Sequence, residues 1–298
     1  MPAQSKSHLT GLALLAITAI GWGLNWPVIK LVLAEWPPLF SRGIAGSAAA
    51  VILAAIALAR RESLRVPKSA VLPLTIAAFT NVFSWMGFTT IAMKTLSVAE
   101  ASLLVYTMPI WVTILSWPLL GARPTLRSAV ALAAGTAGLL TLFSGHEMNF
   151  NADKYLGIVL CLAAAIFFAL GSILNRRKLP LAPIPLVAWQ VGLACVTMTI
   201  LGLLFEHPRF DALTTTGFYS LAYMALLPMG LCYICWFGAL RILPAATAAV
   251  GTLSVPVIGV LSATILLGEA LGVREVAAMV MTITGVWLAL AKPAERKE

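Results

Sequence analysis

The side chains in this sequence with chemistry to offer are aromatics beside amides and hydroxyls, set at helical spacing inside apolar runs. Asn81, Ser84, Trp85 and Phe88 fall at i, i+3, i+4 and i+7, one stripe of a helix. Ser102, Tyr106, Pro109 and Thr113 make a second stripe, Cys232, Tyr233 and Trp236 a third, and Thr18, Trp22 and Asn25 a fourth; Trp189 and Gln190 form a further pair. Such groups hold a molecule rather than transform it. The rings embrace an apolar body, and the amides and hydroxyls orient an uncharged or zwitterionic organic solute. Reaction chemistry finds no matching constellation. The three histidines (His8, His146, His207) lie in loops or the tail, and no His-Glu-x-x-His or deep Ser/His pair accompanies them. Cys232-x-x-Cys235 has redox-like spacing but no further ligand, so it reads with Cys161 and Cys195 as small buried side chains. Neither an enzyme, a cofactor nor a resident metal is expected.

The elements that position these groups are membrane spans. Sixty per cent of the 298 residues are hydrophobic and only 10% charged, with a mean hydropathy of +0.96, against about 25% charged residues in soluble domains. Ten runs can cross a bilayer: Leu9–Val28, Leu39–Ala59, Ala70–Ala92, Val98–Leu120, Ser128–Phe143, Leu156–Leu174, Pro185–Phe205, Phe218–Leu240, Ala245–Leu267 and Val276–Ala291. The expected fold is therefore an all-α membrane protein of ten transmembrane helices, the first a retained span rather than a signal peptide. Alternate loops put 14 Lys and Arg on one side and 5 on the other, with Arg42 just inside the second span. That bias places both termini in the cytoplasm, and eight of the 11 acids fall opposite. Basic residues spread thinly between spans fit orientation, not nucleic-acid binding.

The chain also repeats itself. Leu96–Phe143 laid on Leu243–Leu290 at an offset of 147 matches at 10 of 48 positions without a gap. The telling ones are Pro109/Pro256, Leu119-Leu120-Gly121/Leu266-Leu267-Gly268 and Arg127/Arg274; Ala131/Ala278 and Gly138/Gly285 are among the other matches. The domains expected are 1–145, a first five-helix repeat; 146–154, a connecting periplasmic loop; and 155–298, a second repeat. Five is odd, so the second repeat enters the membrane inverted. Inverted repeats give two near-equivalent conformations open to opposite sides, with the two halves rocking about a central cavity. Spans one, three, four, six, eight and nine are expected to line that cavity.

Trp22-Gly23, Pro109, Trp236 with Ala239-Leu240, Pro244-Ala245, Pro256 and Leu267-Gly268-Glu269 together resemble the drug/metabolite transporter superfamily, in particular its EamA-type ten-helix members. The resemblance covers the whole chain and is strongest to the YddG-type amino-acid exporters of bacterial inner membranes. It implies export of aromatic or other neutral amino acids and related metabolites. The first half departs from the family pattern, reading Leu120-Gly121-Ala122 without the acid, so only Glu269 can fill that acid's role.

Site expectations follow. Trp22, Asn25, Asn81, Ser84, Trp85, Tyr106, Trp189, Gln190, Tyr233 and Trp236 are the substrate-binding candidates, and Pro109 and Pro256 the hinges, since proline frees a carbonyl and bends its helix. Trp26, Trp36, Trp117 and Trp287 sit near span ends as interfacial anchors. Arg42, Glu100 and Glu269 are the ionisable groups available for coupling or charge pairing, and solvated span ends account for all three most simply. A proton is the candidate coupling ion, but no carboxylate lies in mid-span, which weakens that coupling and admits a passive facilitator as an alternative; Asn25 as the polar residue of the first span argues against cationic drugs. Other amphipathic metabolites or drugs are the alternative substrates. Both repeats lie in one chain, so a monomer suffices.

Overall fold

The computed structural model describes residues 2–121, 125–144, 152–174, 179–243, 247–248 and 251–290. The connecting loop expected at 146–154 lies outside them as far as residue 151, as does Pro244-Ala245. Among the described residues the structure is helical without strands. The rods are α1 (Pro2–Leu33), α2 (Pro38–Ala59), α3 (Lys68–Ala92), α4 (Val98–Leu120), α5 (Leu126–Phe143), α6 (Ala152–Leu174), α7 (Pro183–Phe205), α8 (Thr215–Ile242), α9 (Ser254–Leu267) and α10 (Val273–Leu290). Seven of them are long and apolar enough to cross a membrane, and Ala129–Phe143 and Ser254–Leu267 are shorter apolar helices. Their outward faces carry bare aliphatic and aromatic side chains such as Val51, Phe205 and Ile265, as a lipid solvent requires. α1 runs past its expected end at Val28 and through Pro27. One missing backbone bond does not end a helix packed on its neighbours.

Packing repeats with the sequence. α1 packs on α8 and α9, α6 on α3 and α4, α2 on α7, and α5 on α10. Exchanging each helix for the one five later leaves that pattern unchanged. The α5/α10 crossing is reciprocal at the residue level. A Cβ on Gly138 would lie 2.9 Å from the Ala278 carbonyl and the Thr282 nitrogen; one on Gly285 would lie 2.7 Å from the Ala131 carbonyl and the Gly135 nitrogen. Both matched glycines are thus held by close backbone approach. Gly121 and Gly268, closing the repeated Leu-Leu-Gly, adopt φ of 70° and 68° as left-handed caps of α4 and α9. Each of the packing groups α1/α8/α9 and α3/α4/α6 draws on both halves of the chain, so the packed bodies are not the sequence halves.

Four rods are irregular, and at related positions. α3 is π-helical over Ala78–Phe88, and α8 is π-helical over Leu227–Leu231, which lies within the same stretch shifted by 147 (80 + 147 = 227). α4 is broken at Tyr106-Thr107 into half-helices Val98–Val105 and Met108–Leu120. Before α9, Thr252-Leu253 interrupts the chain within a residue of the equivalent place. Pro109 and Pro256 each stand in the first turn of the half-helix after the break, where the missing N–H has no helical partner to lose.

Candidate substrate cavity

The irregular segments surround a cavity of about 470 Å³, within the range of small-molecule sites. Trp22, Asn25 and Trp26 line it from α1, Asn81, Trp85 and Met86 from α3, Tyr106 and Pro109 from α4, Phe168 from α6, and Tyr233 and Trp236 from α8. All six expected spans contribute. α2, α7 and α10 contribute as well, through Arg42, Gln190 and Val286.

Two aromatic walls face each other. Trp22 packs against Tyr233 and Trp236, with ring centroids 5.7 Å away in both cases. Trp85 packs edge-on to Tyr106 at 5.8 Å and against Phe168 at 5.2 Å, and Tyr106 also meets Trp26. The walls are related by the repeat: an α1 ring meets α8, and an α6 ring meets α3. Hydrogen bonds to backbone carbonyls fix the first wall. Trp22 Nε1 donates to the Pro228 carbonyl at 2.9 Å, inside the α8 π-helix, and the Tyr223 hydroxyl donates to the Gly21 carbonyl at 3.0 Å. Thr18 Oγ1 donates to the Leu14 and Cys232 carbonyls.

The π-helix corrects the stripe expected on α3. Its i→i+5 bonds spread a turn over slightly more than four residues, so Asn81, Trp85 and Thr89 align, with Val82 and Met86 beside them. Ser84 and Phe88, on the face at a 3.6 period, rotate off it. Ser84 is buried and donates to the Thr80 carbonyl at 2.7 Å. Trp189 also falls outside the cavity; it is 38% exposed and donates to the Leu64 carbonyl, while its neighbour Gln190 points inward. Pro256 is buried in packing and does not line the cavity, in contrast to Pro109. Trp26, expected as an interfacial anchor, is buried in the cavity wall; Trp36 is buried against Phe40 and Phe210 and donates to the Arg209 carbonyl. Trp117 and Trp287 are exposed on the apolar surface. Sequence reasoning missed Phe168 and Trp26 as wall residues.

Arg42 and Glu100 are buried rather than solvated, whereas Glu269 sits at a partly exposed span end. Arg42 is 4% exposed and lines the cavity beside Tyr233 and Cys195. Its Nε and Nη1 have no hydrogen-bond partner, and neither do Asn25 Oδ1 and Asn81 Oδ1. Glu100 and Glu269 are elsewhere, in a second pocket with Lys30, Ser97, Lys154 and Glu275. Glu100 completes a capping box with Ser97 at the start of α4 and pairs with Lys154 at 2.7 Å. Glu269 accepts the Val98 N–H at 2.9 and 3.2 Å and lies 3.9 Å from Lys30. Glu206 caps α2 through the Leu39 and Phe40 N–H groups, and Glu35 takes bonds from Thr214 at the start of α8. The acids at this end sit on helix N-termini, a placement that the helix dipole favours. The main cavity reaches toward the opposite end, where Ser172 closes α6, Leu186 opens α7 and Val286 lies in the last turn of α10.

An aromatic cavity set between repeat-related helix groups suits a carrier. Residues 9–144 and 155–291 each match the EamA-like transporter family. The "Uncharacterized transporter YoaV" of Bacillus subtilis is 25% identical over 93% of this chain and 95% of its own length. The "Probable amino-acid metabolite efflux pump" of Salmonella typhimurium is 29% identical over 93% of each chain. The "Uncharacterized inner membrane transporter YedA" of Escherichia coli is 28% identical over 94% of this chain and 92% of its own. A solved crystal structure superposes with a TM-score of 0.66 over 96% of both chains at 21% identity, a likeness of fold. With the family pattern present in both halves and the cavity lined by both, the chain belongs to the EamA-like transporter family and is a multi-pass inner-membrane transporter.

Proposed function

We propose that this transporter exports amino acids, aromatic and other neutral ones, by alternating access. The single observation that carries the reading is the cavity: about 470 Å³, walled by aromatic rings and uncharged polar groups, with one unpartnered guanidinium. Relatives in Salmonella typhimurium and Escherichia coli, 29% and 26% identical, are named probable amino-acid metabolite efflux pumps. In this reading the chain forms ten spans as two inverted five-helix repeats with cytoplasmic termini, a topology that the reciprocal packing of α5 on α10 supports. The moving bodies are α1/α8/α9 and α3/α4/α6, with the breaks before Pro109 and Pro256 as flexure points. The cavity then faces the cytoplasm while the Glu269 and Glu100 contacts hold the periplasmic end closed.

Uptake of radiolabelled amino acids into proteoliposomes, with and without a pH gradient, tests the proposal. Saturable uptake with trans-stimulation is the expected result. Uptake of no amino acid would overturn the substrate assignment. Saturable uptake without trans-stimulation would favour a facilitator, a reading that the lack of any carboxylate among the described cavity residues supports. Acceleration by the gradient would make Glu100 and Glu269 the proton sites to test.

A further inference from the structure

Arg42 presents an electrostatic problem that the protein alone does not solve. Its guanidinium stays charged at any biological pH, and it is 4% exposed within an apolar bundle. Its neighbours Cys195 and Tyr233 are uncharged. The ion pairs among the described residues (Lys30–Glu269, Arg60–Glu62, Lys154–Glu100, Arg209–Asp211) all lie away from it, and no Asp or Glu lines its cavity. An ionised group in such surroundings is costly and calls for a named partner. Two of its donors, Nε and Nη1, are buried without one. A guanidinium offers paired N–H edges, Nε with Nη2 or Nη1 with Nη2, either of which takes both oxygens of a carboxylate.

The same cavity holds the opposite deficiency. Asn25 Oδ1 on α1 and Asn81 Oδ1 on α3 are buried acceptors without donors, and the ring faces around them attract a cation. A cavity with a free donor fork, free acceptors and aromatic walls is the complement of a zwitterion with an apolar side chain. We infer that Arg42 is the anchor for the substrate's carboxylate, with the Asn25 and Asn81 oxygens receiving its ammonium. The inference rests on the export reading for the identity of the substrate as an amino acid; the carboxylate anchor itself stands on Arg42 alone. It assigns specificity to α2, a helix whose sequence gave no polar stripe. It also accounts for the charge count of the site: substrate and protein together carry what neither satisfies separately.

The test is equilibrium binding to the purified, detergent-solubilised transporter, using aromatic amino acids, their carboxamides, and aromatic monocarboxylates lacking the amine. The unaltered protein is expected to prefer each acid over its amide by roughly ten- to a hundred-fold, the range for a hydrogen bond to a charged group. Arg42→Gln is expected to abolish that preference while still binding the amide, and Arg42→Lys to keep part of it. Equal binding of acid and amide by the unaltered protein, or no binding of either, would overturn the inference, and that comparison stands even if the Gln variant fails to fold. A preference that survives Arg42→Gln would also overturn it, leaving amino-acid export untouched. Acid-over-amide preference among monocarboxylates but no binding of amino acids would uphold the Arg42 anchor and sink the export reading.

Discussion

Removing the Glu269 carboxylate should loosen the closed end of the bundle by a predictable amount. Glu269 follows the cap of α9, which packs on α1, yet its carboxylate accepts the Val98 N–H at the start of α4, in the other packing group. It therefore ties the two bodies together. A charged acceptor at a helix N-terminus contributes about 1–2 kcal/mol. The Lys30 pair, at 3.9 Å with both side chains partly exposed (24% and 21%), adds only a few tenths. Glu269→Ala should then cost the closed end about 2 kcal/mol, a shift of roughly 30-fold in the open-to-closed ratio. Glu269→Gln keeps an acceptor and loses the charge, so it should shift the ratio by about half that free energy, roughly five-fold. Pulsed electron-paramagnetic resonance between labels at the exposed positions Lys94 and Ala270, with the four buried native cysteines replaced by alanine, would read the two populations. A distance distribution in Glu269→Ala within about two-fold of the unaltered protein would refute the reasoning, because the carboxylate would then not be holding the bodies together.

Other consequences are independent of the latch. Trp85→Ala and Tyr106→Ala should each weaken transport at least ten-fold by removing a wall ring, while Ser84→Ala and Phe88→Leu on the same rod leave it within about two-fold; transport kinetics in proteoliposomes would decide whether the π-helical or the regular register faces substrate. Gly138→Ala and Gly285→Ala should destabilise by similar amounts, about 1–3 kcal/mol each, because each new methyl meets backbone of the facing helix at 2.7–2.9 Å; thermal melts in detergent would measure both, and tolerance of one but not the other would contradict the reciprocal packing. Ser97→Ala removes half of the capping box on α4 and should lower stability by about 1 kcal/mol in the same melts.

Much of the arrangement was legible where spacing maps directly onto geometry. The repeated Leu-Leu-Gly became two left-handed helix caps, and the matched Ala131/Ala278 and Gly138/Gly285 became the α5/α10 crossing. The excess of acids on one side became caps on helices that start there. What escaped was what a regular period cannot express. The π-helices alter which residues share a face, which moved Ser84 and Phe88 off the wall. Span-end position misplaced Trp26 and Arg42: a residue one or two turns from a helix end is still buried when neighbouring helices pack over it. Ser97-Val98-Ala99-Glu100 carries the spacing of a capping box, so Glu100 serves the start of its own helix.

The central claim is that one cavity is presented to one side of the membrane at a time. A cysteine replacing Gln190, inside the cavity near its approachable end, on the same cysteine-free background, can be reacted with a membrane-impermeant maleimide in right-side-out and inside-out vesicles. The account predicts rapid labelling from the cytoplasmic face, little from the periplasmic face, and a rise in periplasmic labelling when Glu269→Ala is added. Comparable labelling from both faces in the protein without that substitution would contradict it and make the cavity part of an open pore.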